Sequence, residues 1–128
     1  WLVGFINAEG MFRISNPYFS SDHIQTSLIF QIKLHKDELP LLQWMQNNLF
    51  NGGSIRKDDN KVAFIIKKQV IIENILIPIF ERFPLNTKKY LDYQDWIKAF
   101  PLFKLQSYKE VNNQKFIKSL IMNMNSRR

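Results

Sequence analysis

The chain opens with the stretch Trp1–Gly10, WLVGFINAEG, an apolar segment that ends in a carboxylate and a glycine. Its apolar side chains recur at helical spacing, and Gly4 and Ala8 stand four residues apart on one stripe, which lets another helix approach closely. Gly10 predicts a helix stop with a positive φ. Glu9 then lies at the negative end of the helix dipole, where a carboxylate is unfavourable without a cation or a partner. We therefore predict a helix over residues 1–9 that presents a contact face and carries Glu9; the alternative is a short buried helix with a solvated glutamate.

Composition indicates one folded, basic domain over residues 1–128. The chain has 45% hydrophobic and 14% aromatic residues, which argues against disorder, and it has no cysteine, which excludes disulfides and thiolate metal sites. His23 and His35 are twelve residues apart and make a poor zinc site. The net charge of +7 favours an anionic partner, most commonly nucleic acid, over a merely solvated basic surface. The longest apolar runs are too short to span a membrane, so we expect no membrane partner.

Alternating residues predict strands over 11–16 and over 23–34, and a hairpin over 54–67 whose turn is formed by residues 58–60. In the second strand Leu28, Phe30, Ile32 and Leu34 share one face, which suits a core. The opposite face carries polar side chains, with Ile29 as the one apolar exception.

Helical patterns separate and follow these strands. A helix begins near residues 35–38 with Asp37 as a candidate N-cap, and a second covers 69–83, with Pro78 kinking or splitting it near Ile77. Thr87 is a candidate cap for a last long helix that continues toward Phe103 and is disturbed at Pro101. Residues from about 104 to 128 form a basic tail.

This order predicts an α+β fold, αββαββα, with a four-stranded antiparallel sheet, helices on one face and the other face open to nucleic acid. A polar sheet face can lie along the major groove of a duplex, where base edges distinguish all four base pairs. The groove-facing candidates are polar or basic residues on the strands: Arg13, Ser15, Gln25, Ser27, Gln31, Lys33, Arg56 and Lys61.

The segment 2–10 resembles the nine-residue signature of the LAGLIDADG homing endonucleases and intron maturases. Glu9 takes the place of the second acid of that signature, Asn7 stands where the first acid usually is, and the identical positions are Leu2, Gly4, Ile6, Ala8 and Gly10. The resemblance continues in residues 10–14, in the lysine-bearing segment 84–96 and in 124–127, and the predicted αββαββα order is also that of the family. It therefore covers essentially the whole chain.

The resemblance implies a Mg²⁺-dependent, site-specific double-strand DNA endonuclease of the homing type. In the family two signature helices pack side by side, and each contributes one acid, here Glu9, to a pair of metal-dependent active sites. A single signature implies a homodimer or a missing partner half, with Gly4 and Ala8 at the contact. Lys88 or Lys89 is expected near the scissile phosphate. Gln31 is expected near the active-site water, although Leu34, three residues on, cannot share that role.

Two alternatives use the same scaffold. A maturase would bind intron RNA without cutting it, and Glu9 would then be structural; a basic subunit of a larger assembly would have neither activity. The start of the chain directly inside the signature suggests a processed product or one half of a longer protein. The richness in Asn, Lys, Ile and Phe suggests an AT-rich genome and hence an organellar, mitochondrial setting.

Overall fold

The computed structural model describes residues 2–14, 28–104 and 111–126. It confirms the predicted α+β class: four strands form one antiparallel sheet in the order β1-β2-β4-β3. Within the described ranges no helix is long and apolar enough to cross a membrane. The elements in chain order are α1 (Leu2–Glu9), β1 (Gly10–Ile14), β2 (Leu28–His35), a 3₁₀ turn (Lys36–Glu38), α2 (Leu39–Asn48), β3 (Ser54–Asp58), β4 (Lys61–Ile66), α3 (Gln69–Ile71), a π-helical turn (Ile72–Leu76), α4 (Ile77–Arg82), α5 (Thr87–Lys104) and α6 (Val111–Ser126).

Apolar residues of β2 and β4 pair across the sheet and share one buried face. Phe30 pairs with Ile66 and Ile32 with Phe64, and all four side chains are fully buried. Helix α4 packs on this face, where its Phe80 ring lies 6.2 Å from the Phe30 ring. The alternation predicted for residues 28–34 is confirmed, and the same face supplies the core.

Contacts group the chain into two compact units, each built from two separate stretches. Residues 1–11 and 30–85 form the first unit, which contains α1 to α4. Residues 12–29 and 86–128 form the second, in which Phe12 packs against Trp96 at a ring distance of 5.1 Å. The organisation of residues 1–128 as a single domain stays a prediction.

Two predicted helix caps are wrong. The chain enters α2 through the 3₁₀ turn, and it is His35 rather than Asp37 that caps this turn, because the His35 ring accepts a hydrogen bond from the Asp37 backbone N–H. Thr87 is already helical, and the backbone N–H of Tyr90 donates to the carbonyl of Asn86. The N-cap position of α5 therefore falls on Asn86.

The helix predicted over 69–83 neither breaks nor ends at Pro78. Instead the five residues Ile72–Leu76 form a π-helical turn, and the N–H of Ile77 donates to the carbonyl of Ile72, five residues back. A proline removes one N–H and its ring clashes with the carbonyl four residues earlier. A wider turn directly before Pro78 therefore lets the helix continue into α4.

The segment interpreted as a basic tail, about 104–128, contains a helix that the sequence analysis did not anticipate. Ile117, Leu120 and Met124 of α6 are buried and recur at helical spacing. Within the second unit α6 contacts α5. The C-terminal segment thus contributes to the core of its unit.

Candidate functional site

Helix α1 is buried on one side and exposed on the other. Ile6 is fully buried, whereas Gly4 and Ala8 are exposed. Gly4 and Ala8 are each two positions from Ile6 in the sequence, which corresponds to about 200° of rotation around the helix axis. Both therefore lie opposite Ile6. A Cβ placed on Gly4 would meet no atom within 4 Å. No described residue covers the Gly4/Ala8 face, as a contact face for a second helix requires.

Gly10 fixes the exit from α1, but not in the way the sequence analysis predicted. It has no positive φ and already forms the first residue of β1, so the prediction of a left-handed helix stop is wrong. A Cβ at this position would lie 2.8 Å from both Cγ2 and the carbonyl oxygen of Ile6, and 3.3 Å from the Phe30 ring. A glycine is required because the backbone passes directly against α1 and β2.

The close turn at Gly10 leaves Glu9 as the last residue of α1 with an exposed side chain. Nowhere in residues 2–14, 28–104 and 111–126 do three His, Asp or Glu side chains cluster as a complete metal site would require. A carboxylate at this position offers oxygen ligands, which hard cations such as Mg²⁺ prefer, and one chain offers only part of a coordination shell.

The side of the sheet opposite the core presents side chains in three rows across β2, β4 and β3. Residues that pair directly in an antiparallel sheet lie on the same face, so the register defines each row. The rows are Gln31–Ile65–Ser54, Lys33–Ala63–Arg56 and His35–Lys61–Asp58. We call these nine residues the open face. The register brings together four predicted groove-facing residues: Gln31, Lys33, Arg56 and Lys61.

The cations of the open face have no ion-pair partner among the residues that the structure describes. Lys33, Arg56 and Lys61 are exposed, and none has a side-chain hydrogen bond or ion pair with another described residue. Gln31 is half-buried and has interactions of its own. The three cations therefore remain available to an anionic partner.

Three polar members of the open face were not predicted from the sequence: His35, Ser54 and Asp58. The signal was present in the period of two, since His35 follows Gln31 and Lys33, and Ser54 and Asp58 flank Arg56 at the same interval. The open face is polar at its edges and apolar at its centre, where Ala63 and Ile65 are buried.

The remaining candidates belong to the second unit or lie outside the described residues. Arg13 of β1 is exposed, and its carbonyl accepts a hydrogen bond of 3.0 Å from the Trp96 indole. Lys88 is exposed and Lys89 half-buried in the first turn of α5. The structure does not describe Ser15, Gln25 and Ser27.

Comparison with known proteins decides the family. The family model described as LAGLIDADG endonuclease matches residues 2–100, which include α1 and all four strands. The chain belongs to the LAGLIDADG endonuclease family. Among curated proteins, the probable intron-encoded endonuclease Cox1-I1b of Schizosaccharomyces pombe is 34% identical over 101 residues, which are 78% of this chain and 26% of that protein. An uncharacterised mitochondrial protein, RF1 of Saccharomyces cerevisiae, is 23% identical over 99 residues, 77% of this chain and 20% of that protein.

Solved LAGLIDADG-type structures agree over nearly the whole chain. I-GzeII in complex with its DNA target superposes with a TM-score of 0.85 at 30% identity, covering 100% of this chain and 44% of that one. I-SmaMI bound to uncleaved DNA in the presence of calcium gives 0.85 at 26% identity, covering 98% and 44%. The homing endonuclease I-TnaI gives 0.84 at 26% identity, covering 98% and 86%. This chain thus spans about a quarter of the curated relatives and less than half of two of these solved proteins.

Proposed function

We propose that this chain is one DNA-binding and catalytic half of a site-specific double-strand endonuclease, and that it acts in a pair with a partner half of the same kind. The observation that carries the proposal is the arrangement on one scaffold of an open, cationic sheet face and a helix that ends in an exposed carboxylate. Membership of the LAGLIDADG family and similarity to proteins solved in complex with DNA support it.

The open face is proposed to lie in the major groove of duplex DNA. Two strand spacings of about 4.8 Å give three strands a breadth of about 10 Å, which fits a groove about 12 Å wide. Lys33, Arg56 and Lys61 would contact phosphates and base edges, since none is paired with a described residue. We propose that Arg13, Ser15, Gln25 and Ser27 also contact the DNA.

Glu9 is proposed to bind a divalent cation, Mg²⁺ in the working enzyme. Its exposed carboxylate fits a hard cation that prefers oxygen ligands and keeps several waters. When bound, the metal would stabilise the negative charge that develops on the reacting phosphate. One chain supplies one such carboxylate, so a partner half is needed for a paired site.

Chain residues other than Glu9 are proposed to hold the phosphate and the attacking water. Lys88 and Lys89 lie in the first turn of α5, where the helix dipole adds positive potential to their charges. An anionic phosphate would be stabilised there, and either lysine can serve. The amide of Gln31 on the open face is proposed to orient water, whereas Leu34 pairs with Val62 on the core face and cannot assist it.

The partner half is proposed to pack on the Gly4/Ala8 face of α1. No residue in the described part of the chain covers that face, and there is space at Gly4, so a partner helix can approach closely. This partner half is a second copy of this chain or another polypeptide segment of the same type. An organellar, mitochondrial location fits the intron-encoded and mitochondrial descriptions of the relatives.

The decisive experiment measures cleavage of duplex DNA from a randomised plasmid library by this chain in Mg²⁺. We expect Glu9→Gln to reduce cleavage by roughly a thousandfold, because losing a metal ligand removes several kcal/mol of transition-state stabilisation. The matched control is Glu38→Gln, which removes the same charge from an exposed glutamate in the 3₁₀ turn. Replacing Mg²⁺ with Ca²⁺ is expected to preserve binding and stop cleavage.

Three results would contradict the proposal in different ways. Full cleavage by Glu9→Gln would exclude the metal role. Tight binding of structured RNA without cutting of any duplex would favour the maturase alternative. Binding of neither nucleic acid would leave the non-catalytic subunit as the better description.

A further inference from the structure

The row His35–Lys61–Asp58 differs from the other two rows of the open face because all three of its side chains are polar. Lys61 pairs directly with His35 on one side and with Asp58 on the other. All three side chains are exposed. Despite facing each other, Lys61 and Asp58 form no ion pair, and neither has a side-chain hydrogen bond to another described residue.

Backbone hydrogen bonds hold this row in place at the end of the hairpin. Asp58 and Lys61 are the last paired residues before the turn, and the backbone N–H of Lys36 donates to the carbonyl of Asn60 at 2.9 Å. The turn is thereby tied to the end of β2. The three side chains thus start from a fixed backbone, which favours a defined binding geometry.

The hydrogen-bonding character of each group is fixed as well. His35 Nδ1 accepts a hydrogen bond from the Asp37 backbone N–H at 3.2 Å, so Nε2 carries the proton of the neutral ring. In the protonated ring Nε2 also carries a proton, and Nδ1 then faces the Asp37 carboxylate at 3.3 Å. Across the sheet the row therefore presents donor, donor and acceptor.

That order matches one base pair in the major groove. A G·C pair presents two acceptors, guanine N7 and O6, followed by the cytosine N4 donor, whereas an A·T pair presents acceptor, donor, acceptor. We propose that His35, Lys61 and Asp58 together recognise a single G·C pair, with His35 and Lys61 toward guanine and Asp58 toward cytosine. This inference rests on the proposed function, in which the open face binds duplex DNA.

The test is selection of bound duplexes from a randomised pool by the unaltered chain and by variants. We expect one position with a strong G·C preference, and Asp58→Asn should weaken that preference roughly tenfold, with a shift toward adenine, because Asn pairs best with adenine. Lys61→Met should weaken the preference at the same position. Thermal unfolding of both variants verifies that they are folded.

Two control variants remove the same charges nearby. Asp59→Asn changes the exposed carboxylate next to Asp58, in the turn, and Lys57→Met changes a lysine that pairs with Val62 on the core face. Neither is expected to alter the preferred base. If a sequence is selected but Asp58→Asn and Lys61→Met leave every position unchanged, the inference is overturned while the proposed function stands. If the chain selects no duplex at all, the proposed function fails as well.

Discussion

The Trp96 indole Nε1 donates a hydrogen bond of 3.0 Å to the backbone carbonyl of Arg13, joining α5 to β1 across 83 residues of sequence. Trp96 is fully buried and packs on Phe12, the residue before Arg13 in β1. The side chains of Phe12 and Arg13 point to opposite faces of the strand. One contact therefore fixes the strand that presents the exposed Arg13 side chain.

Replacing this tryptophan should destabilise the fold. Trp96→Phe removes the indole donor of the Arg13 carbonyl and creates a space in the core. We expect the free energy of unfolding to fall by about 2–4 kcal/mol. Urea denaturation measures it. Trp44→Phe is the matched control, since Trp44 is 46% exposed on α2 and should cost less than about 1 kcal/mol. Equal losses would contradict a special role for Trp96.

The two glycines of α1 and its exit should respond oppositely to alanine. Gly10→Ala forces a Cβ against the Ile6 backbone and should destabilise by about 1–3 kcal/mol. Gly4→Ala meets open space and should be neutral or stabilising by up to about 1 kcal/mol through helix propensity. Thermal melts at low protein concentration compare the two variants. A harmless Gly10→Ala would refute the close-approach explanation.

Assembly should depend on Gly4. We expect the chain to form dimers, and Gly4→Leu to weaken them by at least about tenfold, because a large side chain separates two closely packed helices. Sedimentation equilibrium gives the dissociation constants. Ser119→Leu places the same side chain at an exposed position of α6 and should leave association unchanged. A dimer that tolerates Gly4→Leu would use another face.

Salt dependence should report the cations of the open face. A variant that no longer binds one of the DNA phosphates has a slope of log K against log salt that is smaller by about 0.9. We expect Lys33→Met and Arg56→Gln each to reduce the slope by roughly that amount in duplex-binding titrations. Lys115→Met, at an exposed position of α6, is the charge-matched control. A slope that falls equally for all three variants would indicate nonspecific attraction to the net charge.

Periodicity predicted the sheet better than the helix ends. Alternation over residues 28–34 fixed both faces of β2, because a half-buried strand repeats every two residues. The caps at Asp37 and Thr87 were misassigned by one or two residues, since several polar residues stand near each helix start and tertiary context selects among them.

The site was predicted in composition but not in arrangement. Glu9 and the lysines follow from a motif, whereas the alignment of His35, Lys61 and Asp58 requires the register between strands, which no local pattern contains. The role of Gly10 was similarly invisible, because its neighbour Phe30 is twenty positions away in sequence.

The π-helical turn before Pro78 makes this segment one residue longer than a continuous α-helix would be. Such a turn contains one residue more than an α-helical path between the same points. Deleting the exposed Asn74 would therefore return the segment to an α-helical path with Phe80 still beside Phe30, and it would bring a carbonyl back against the Pro78 ring. Homologous chains that lack a proline here are therefore expected to be one residue shorter in this turn.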